Sequence, residues 1–350
     1  MITNAIDLFC GIGGLTHGLE LAGIDVIAGF DIDASCEFAY KANNNAEFFC
    51  RDIRTIKADE INSLFNANSI KILVGCAPCQ PFSRYSYRYK KNREKDDKWS
   101  LLYAFLRIIV ECSPDIISME NVPNLLHEKV FSDFTLGIKR LGYYIRYQVV
   151  YCPDYGVPQK RKRLVLLASK LGEISLIPPI YSAKNYRTVR MAIGDLPPIK
   201  AGETYFDDSL HHACALSPLN KIRISQSIPG GTWRDWDENL RLKCHKKGSG
   251  VSYPSVYGRM KWDEPSPTIT TQFYGYGNGR FGHPEQNRAI SFREGALLQS
   301  FPKNYIFTDK NHPIRQRSLA IHIGNAVPVD LGKAIGVSIK QHINSMRLGE

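Results

Sequence analysis

The first half of the chain alternates short apolar runs with helical patterns, and that alternation leaves few architectures open. AIDLF (5–9) reads as a short buried strand; GIGG follows, and Leu15, Leu19 and Ala22 then recur at helical spacing, with Gly23 as the stop. A second strand, IDVIAGF, ends at Asp31, 20 residues after Gly11. IKILVG (70–75), PDIISM (114–119), YYIRYQVVY (143–151) and RLVLLAS (163–169) are further strand candidates, and LLYAFLRIIVEC (101–112) reads as a helix between two of them. Strands alternating with helices predict an α/β fold with a doubly wound, mostly parallel sheet, whose ligands sit at the carboxyl ends of the strands. From about residue 175 proline breaks the pattern in LIPPIYSAKNYR and GDLPPIKAGE, and over 205–290 glycine, proline and aromatics replace clean periodicity. A second, smaller and irregular domain is expected there. The helical pattern returns in DLGKAIGVSIKQHI (330–343), which is expected to dock back on the first domain.

Charge and cysteine usage narrow the setting. Forty-five Lys and Arg against 34 Asp and Glu leave a net charge of +11, which favours a polyanionic partner, although a basic surface that only maintains solubility fits the number as well. Nine irregularly spaced cysteines suit a reducing compartment better than a disulfide framework. No apolar run approaches the roughly 20 residues a membrane helix needs, and the N-terminus lacks the order of a signal peptide. A cytoplasmic protein with no membrane partner is expected.

Several positions carry chemistry. Gly11 and Gly13 let backbone approach a ligand at a helix N-terminus. Thr16 stands where the dinucleotide fingerprint needs its last glycine, so a nicotinamide cofactor is disfavoured, whereas Asp31 at a strand end suits the two hydroxyls of a ribose. GCAPCQPFS (75–83) delivers Cys79 at the carboxyl end of a strand. Cys76 and Cys79 form C-x-x-C, but the only further zinc candidates, HHAC (211–214) and CH (244–245), match no common spacing, and neither flank resembles a redox turn. Glu120 ends a strand adjacent in the expected sheet order; alone it reads as a cap or ion-pair partner, but beside a positioned thiol it makes a proton donor for an electron-poor ring. In QKRKR (159–163), usually a solvated run, strand alternation would send Arg161 and Arg163 to one side, able to clamp a phosphate or a carbonyl oxygen. Arg84 to Lys98 holds seven Lys or Arg, three acids and three tyrosines, the composition of a loop that closes on a phosphate backbone or of plain disorder.

In order, DLFCGIGG, GCAPCQPFS, MENV, QKRKR, FREGALLQSFP and IGNAVP resemble the signature of the DNA cytosine-5 methyltransferases, over residues 5 to about 170 and about 290 to 340. The resemblance implies a S-adenosylmethionine-dependent methyltransferase fold, with a catalytic and cofactor-binding domain at 1–180 plus 318–350 and a target-recognition domain at 181–317. It implies that Cys79 adds to carbon 6 of cytosine, that Glu120 holds the ring nitrogen beside the amino group, that Arg163 holds the base carbonyl and that Arg161 supports it or a neighbouring phosphate. S-adenosylmethionine, leaving as S-adenosylhomocysteine, would lie against Phe9, Gly11 and Gly13, with Asp31 on the ribose and Asp52 on the adenine amino group. Ile32, Ile53, Pro78, Leu101 and Asn325 would complete that pocket, and no metal is expected. The family commonly has Glu where Asp31 stands and often an aromatic where Ile32 stands, which puts the ribose and adenine contacts in question. The partner implied is double-stranded DNA with the target base rotated out, contacted by Gln80, Ser83 and Arg84 after the thiol. The segment 221–261, with nine Lys or Arg against three acids, is the candidate base reader through Arg234 and Arg241. Arg293 and Glu294 resemble residues that organise the second domain.

Two other readings compete: the same chemistry on transfer RNA, as in one branch of the family, and a nucleic-acid-binding protein whose transfer site has decayed. The large basic middle segment favours DNA, and every expected catalytic residue is present. A monomer is expected, either beside a cognate restriction endonuclease or as an orphan modification enzyme.

Overall fold

The computed structural model describes residues 2–78, 99–247 and 254–347, and its chain divides into two compact units. The first unit comprises residues 1–151, 162–179 and 327–350. It is built on a seven-stranded sheet of β1 (Thr3–Leu8), β2 (Asp25–Asp31), β3 (Glu47–Cys50), β4 (Ile70–Gly75), β5 (Ile116–Asn121), β6 (Tyr144–Tyr151) and β7 (Lys162–Ser169), in the order β3-β2-β1-β4-β5-β7-β6. The pairs among β1 to β5 are parallel, while β7 runs antiparallel to both β5 and β6. The helices are α1 (Gly14–Leu21), α2 (Glu37–Asn43), α3 (Ala58–Asn62), α4 (Trp99–Cys112), α5 (Lys129–Arg140) and a C-terminal helix, Val329–Arg347.

The burial of the central strands β4 and β5 explains why their sequences are largely apolar rather than alternating. All six residues of β5 are buried, as are five of six in β4, because helices cover both faces of such a sheet. Ile6, Leu8, Leu73, Ile117 and Met119 meet Phe105 and Ile108 of α4 and Phe134 and Ile138 of α5 in one apolar cluster. The strand order reverses between β1 and β4, so their carboxyl ends diverge and open the crevice where ligands bind in doubly wound sheets.

The C-terminal helix docks against α1, as its returning periodicity suggested, and glycine makes the approach possible. A Cβ on Gly18 would lie 2.4 Å from the carbonyl oxygen of Val329 and 2.6 Å from the amide nitrogen of Lys333, both backbone atoms. Gly18→Ala should therefore push the two helices apart and cost about 1–3 kcal/mol, read as a lower urea midpoint with an unchanged slope.

The second unit comprises residues 152–161 and 180–326. Its regular elements are short: a hairpin of Thr204–Tyr205 with Asp208–His212, and helices Val189–Ile193, Pro218–Gln226, Phe292–Leu298 and Gln316–Asn325. Compared with the division expected at 180/181 and 317/318, helix Gln316–Asn325 and the link 152–161 group with this unit. The reason is hydrogen bonding: buried Gln159 binds the Leu298 carbonyl, the Gln299 side chain and the Ile269 amide, and Gln299 binds the Ile323 carbonyl.

A domain with few ladder bonds must satisfy its buried carbonyls in another way. Arg259, 4% exposed, donates to the carbonyls of Ser227, Ile224, His283 and Gln286. Trp233 and Trp236 are buried with Ile224, Leu240 and Tyr276 in the unit's apolar cluster. Both ring nitrogens of His211 are engaged, by Ser291 and by the Pro197 carbonyl, and the His245 ring stacks on Trp233. Those two histidines of the zinc candidates thus have packing roles. Among the described residues no helix is long and apolar enough to cross a membrane.

Candidate active site

In the first unit, β1 ends in a turn that its sequence makes possible. Phe9, Gly11 and Gly13 all have positive φ, and space is open where a Cβ on Gly11 would stand. Helix α1 starts without a side-chain cap at Gly13, which leaves its first turn open to an electronegative group. Asp31, at the end of β2, braces this turn: its Oδ2 accepts from the Gly11 amide at 2.8 Å and its Oδ1 from the Asp33 amide at 2.9 Å.

Beside the turn lies a cavity of about 220 Å³ lined by Phe9, Asp31, Ile32, Arg51, Asp52, Ile53, Arg54, Pro78 and Leu101. Seven of these nine were expected at the cofactor. The volume falls below the roughly 300–1,000 Å³ of sites that enclose a whole drug-sized ligand, and suits one end of an elongated one. Phe9, Ile53, Pro78 and Leu101 give the cavity apolar lining, to which Asp31 and Asp52 add carboxylates. Asp52 is held by Arg54, whose Nε and Nη2 lie 3.0 and 2.7 Å from Oδ2, and these bonds keep its carboxyl below the usual range. Asn325 belongs to the second unit, at the end of helix Gln316–Asn325.

Under the turn sits a group that the sequence reading did not single out. Asp7 is 1% exposed; its Oδ2 accepts from the Thr16 hydroxyl at 2.8 Å, while Oδ1 has no hydrogen-bond partner among the described residues. Burial, opposed by the Thr16 hydrogen bond and reinforced by the charge of Asp31, pushes its carboxyl up to about 7. A raised folded-state value means that the folded protein holds this proton more tightly than the unfolded chain does. The associated stability is therefore complete below about pH 4 and is lost as pH rises through about 7. Unfolding free energy should fall by a few kcal/mol between pH 5 and 8.5 from this residue, and Asp7→Asn should remove that part of the slope in denaturation series at the two pH values.

At the ends of β4, β5 and β7 the carboxyl of Glu120 meets two groups. It is 2% exposed, and Cys76 Sγ donates to its Oε2 at 2.8 Å. Arg163 Nε lies 2.7 Å from Oε1; this is a charge contact and not an aligned hydrogen bond, since Oε1 has no hydrogen-bond partner among the described residues. A buried acceptor without a donor is uncommon enough to ask for a ligand. Asn121, buried beside it, donates to the Ala77 carbonyl at 3.0 Å and so ties the segment leading to residue 79 against β5. Asn121 was read in the sequence only as part of MENV, with no role of its own, although an amide in a largely apolar strand was its signal. Cys79, Gln80, Ser83 and Arg84 lie outside the described residues.

Arg161 and Arg163 do not share a strand face. β7 begins at Lys162, and Arg161 precedes it in the second unit, 3% exposed, donating to the carbonyls of Ile269 and Gly324 at 3.0 and 3.2 Å. That guanidinium braces backbone, while Arg163 faces Glu120. Arg241 likewise donates to the Arg234 and Trp236 carbonyls, at 2.8 and 3.3 Å, whereas Arg234 is exposed with its guanidinium over the Trp233 ring.

The open sheet with one reversed strand thus carries a cavity beside its switch point and, at the neighbouring strand ends, a buried carboxyl facing a guanidinium. A solved structure from E. coli, prophage-encoded and described as a DNA modification methyltransferase, shares the fold with a TM-score of 0.73 at 22% identity, covering 98% of this chain and 99% of its own. Residues 3–341 match the model of the C-5 cytosine-specific DNA methylases. The chain is 52% identical, over 99% of its length and 97% of the relative's, to the type II methylase M.HgiDII of Herpetosiphon aurantiacus. It is 31% identical to the type II methyltransferase M.Eco47II of Escherichia coli, over 97% of this chain and 79% of that one. The chain belongs to the C-5 cytosine-specific DNA methylases, a family that depends on S-adenosylmethionine, and it is a DNA cytosine-5 methyltransferase.

Proposed function

We propose that this enzyme methylates a cytosine rotated out of a specific duplex DNA sequence, through a temporary bond from Cys79 to the base, as the modification activity of a type II restriction-modification system. The observation that carries the reading is the Glu120 carboxyl: buried, fixed by Cys76 and Arg163, with one oxygen awaiting a donor, at the strand end beside the segment that leads to Cys79.

Cytosine is too weakly nucleophilic at carbon 5 to be alkylated directly. The Cys79 thiolate forms a bond to carbon 6, the electron pair of the 5,6 double bond moves to carbon 5, and Glu120 hydrogen-bonds the ring nitrogen and amino group where charge gathers. Arg163 holds the base carbonyl. Bound S-adenosylmethionine supplies an electrophilic methyl group for the electron pair on carbon 5. A base then takes the carbon-5 proton, the double bond re-forms, and the Cys79 thiolate leaves. Phe9, Ile32, Ile53, Pro78 and Leu101, which line the cavity, would enclose the adenine; Asp31, which braces Gly11, would accept from the ribose, and Asp52, with Arg54 as its counter-ion, from the adenine amino group. The fit of this chain to the cofactor rests on the open space at Gly11 and the apolar cavity that Asp31 and Asp52 also line.

Unstacking the target base costs a few kcal/mol, which contacts of Gln80, Ser83 and Arg84 and the basic second unit offset. There, the exposed Arg234 is a better candidate for base reading than Arg241. Methyl incorporation into duplex DNA and into bulk transfer RNA, followed by bisulfite sequencing of DNA from an expressing host, tests the reading. Transfer to one cytosine within one duplex sequence is expected; transfer to RNA alone contradicts it.

A further inference from the structure

The residue next to β4 has a task beyond linking a strand to Cys79. β4 and β5 are parallel, and their last paired residues are Gly75 and Met119. The following residues, Cys76 and Glu120, therefore come side by side, and on neighbouring strands in register such residues project to the same face. Cys76 is only partly buried and could have turned to solvent, yet its Sγ lies 2.8 Å from Glu120 Oε2. On the far side, β7 brings Arg163 Nε to 2.7 Å from Oε1.

We propose that Cys76 is a positioning residue: its thiol fixes the plane of the Glu120 carboxyl so that the oxygen without a hydrogen-bond partner meets the base. This rests on the reading that Glu120 acts on cytosine, and deepens it. The terminal torsion of a glutamate is soft and roughly two-fold, so burial alone leaves the carboxyl plane loosely set. A contact on each oxygen, from two different strands, removes that freedom before substrate arrives. The donor is neutral and weak, unlike a second lysine or arginine, so Glu120 keeps one cationic partner and its remaining acceptor capacity stays with the substrate. A misplacement of this kind is felt in the transition state more than in binding, because the DNA backbone and the cofactor are held elsewhere.

The test is steady-state and single-turnover kinetics on the full-length enzyme with duplex DNA and S-adenosylmethionine. Cys76→Ala should lower kcat by about 10- to 100-fold, leave both KM values within about twofold and leave the urea midpoint in place. Cys76→Ser, which keeps a donor, should restore kcat to within about threefold of the parent. Cys76→Val removes the donor while keeping side-chain volume and replaces the alanine variant if that one unfolds. In a Glu120→Gln background, removing the donor should change kcat by less than about threefold, because the group it positions has gone. Parental kcat in Cys76→Ala, or a serine variant as slow as the alanine one, overturns the proposal. Cys79→Ala and Glu120→Gln run alongside: if they too retain parental transfer, the reading of the site itself has failed; if they lose it while Cys76→Ala does not, only the positioning role is refuted.

Discussion

Glu120→Gln is expected to lower kcat by about 10²- to 10⁴-fold, with KM for DNA changed much less. The substitution keeps the shape of the side chain but replaces an oxygen with an amide that donates and can carry no charge opposite Arg163. Glu120 is 2% exposed, so water cannot take over what it loses. The Arg163 guanidinium, 2.7 Å from Oε1 in the parent, would then face an amide and lose its counter-ion. Both defects fall on the same step, the gathering of charge on the ring as the thiolate adds. Single-turnover methyl transfer at saturating cofactor reads this step directly. A rate within threefold of the parent would remove Glu120 from the chemistry.

The largest expected loss of stability lies in the second unit. Arg288 and Glu294 are each about 1% exposed and paired twice, Nη1 to Oε2 and Nη2 to Oε1, both at 2.7 Å. Glu294 also accepts from the Ser291 amide at 2.6 Å, and Ser291 caps the helix in return. Burial works against the charged carboxyl, but the Arg288 bonds and charge, with His283, hold it at about 2. Because this value is depressed, the stability it confers is present above about pH 4.5 and is lost as pH falls towards 2. Arg288→Met leaves a charge buried without its partner and should cost about 3–5 kcal/mol in urea denaturation at pH 7. Adding Glu294→Gln to it should recover much of that loss, since the stranded charge is then gone. An Arg288→Met variant as stable as the parent would show that the pair is not what holds this irregular domain together.

Six of the seven strands were legible in the sequence, the central ones because burial on both faces leaves apolar runs such as IKILVG and PDIISM, while β3, four residues with exposed ends, went unread. The antiparallel placement of β7 was not legible, since RLVLLAS has the same texture whichever way it runs. The turn after β1 was legible, because glycines and a carboxylate at a strand end are local features, whereas the residues lining the cavity beside it followed only from the family resemblance. The pairing of Cys76 with Glu120 depends on register between strands more than 40 residues apart in sequence, where periodicity carries no information. Arg161 illustrates the opposite failure. Alternation within QKRKR suggested one strand face, but β7 begins at Lys162, and the preceding arginine belongs to the second unit and donates to carbonyls within it. Likewise, Arg234 and Arg241 were singled out together in 221–261, yet Arg241, like Arg259, serves backbone carbonyls, which a domain poor in ladder bonds must satisfy.

The bond between Cys79 and the base is the claim on which the account depends, and mechanism-based trapping tests it most directly. Duplex DNA carrying 5-fluorocytosine at the methylated position, incubated with the enzyme and S-adenosylmethionine, should form a complex that survives denaturant, because fluorine cannot leave carbon 5 as the proton does. Peptide mass spectrometry should place the DNA on Cys79, and Cys79→Ala should form none. Recovery of free enzyme from DNA that it demonstrably binds and methylates in unfluorinated form, or an adduct that persists in Cys79→Ala, would contradict the mechanism.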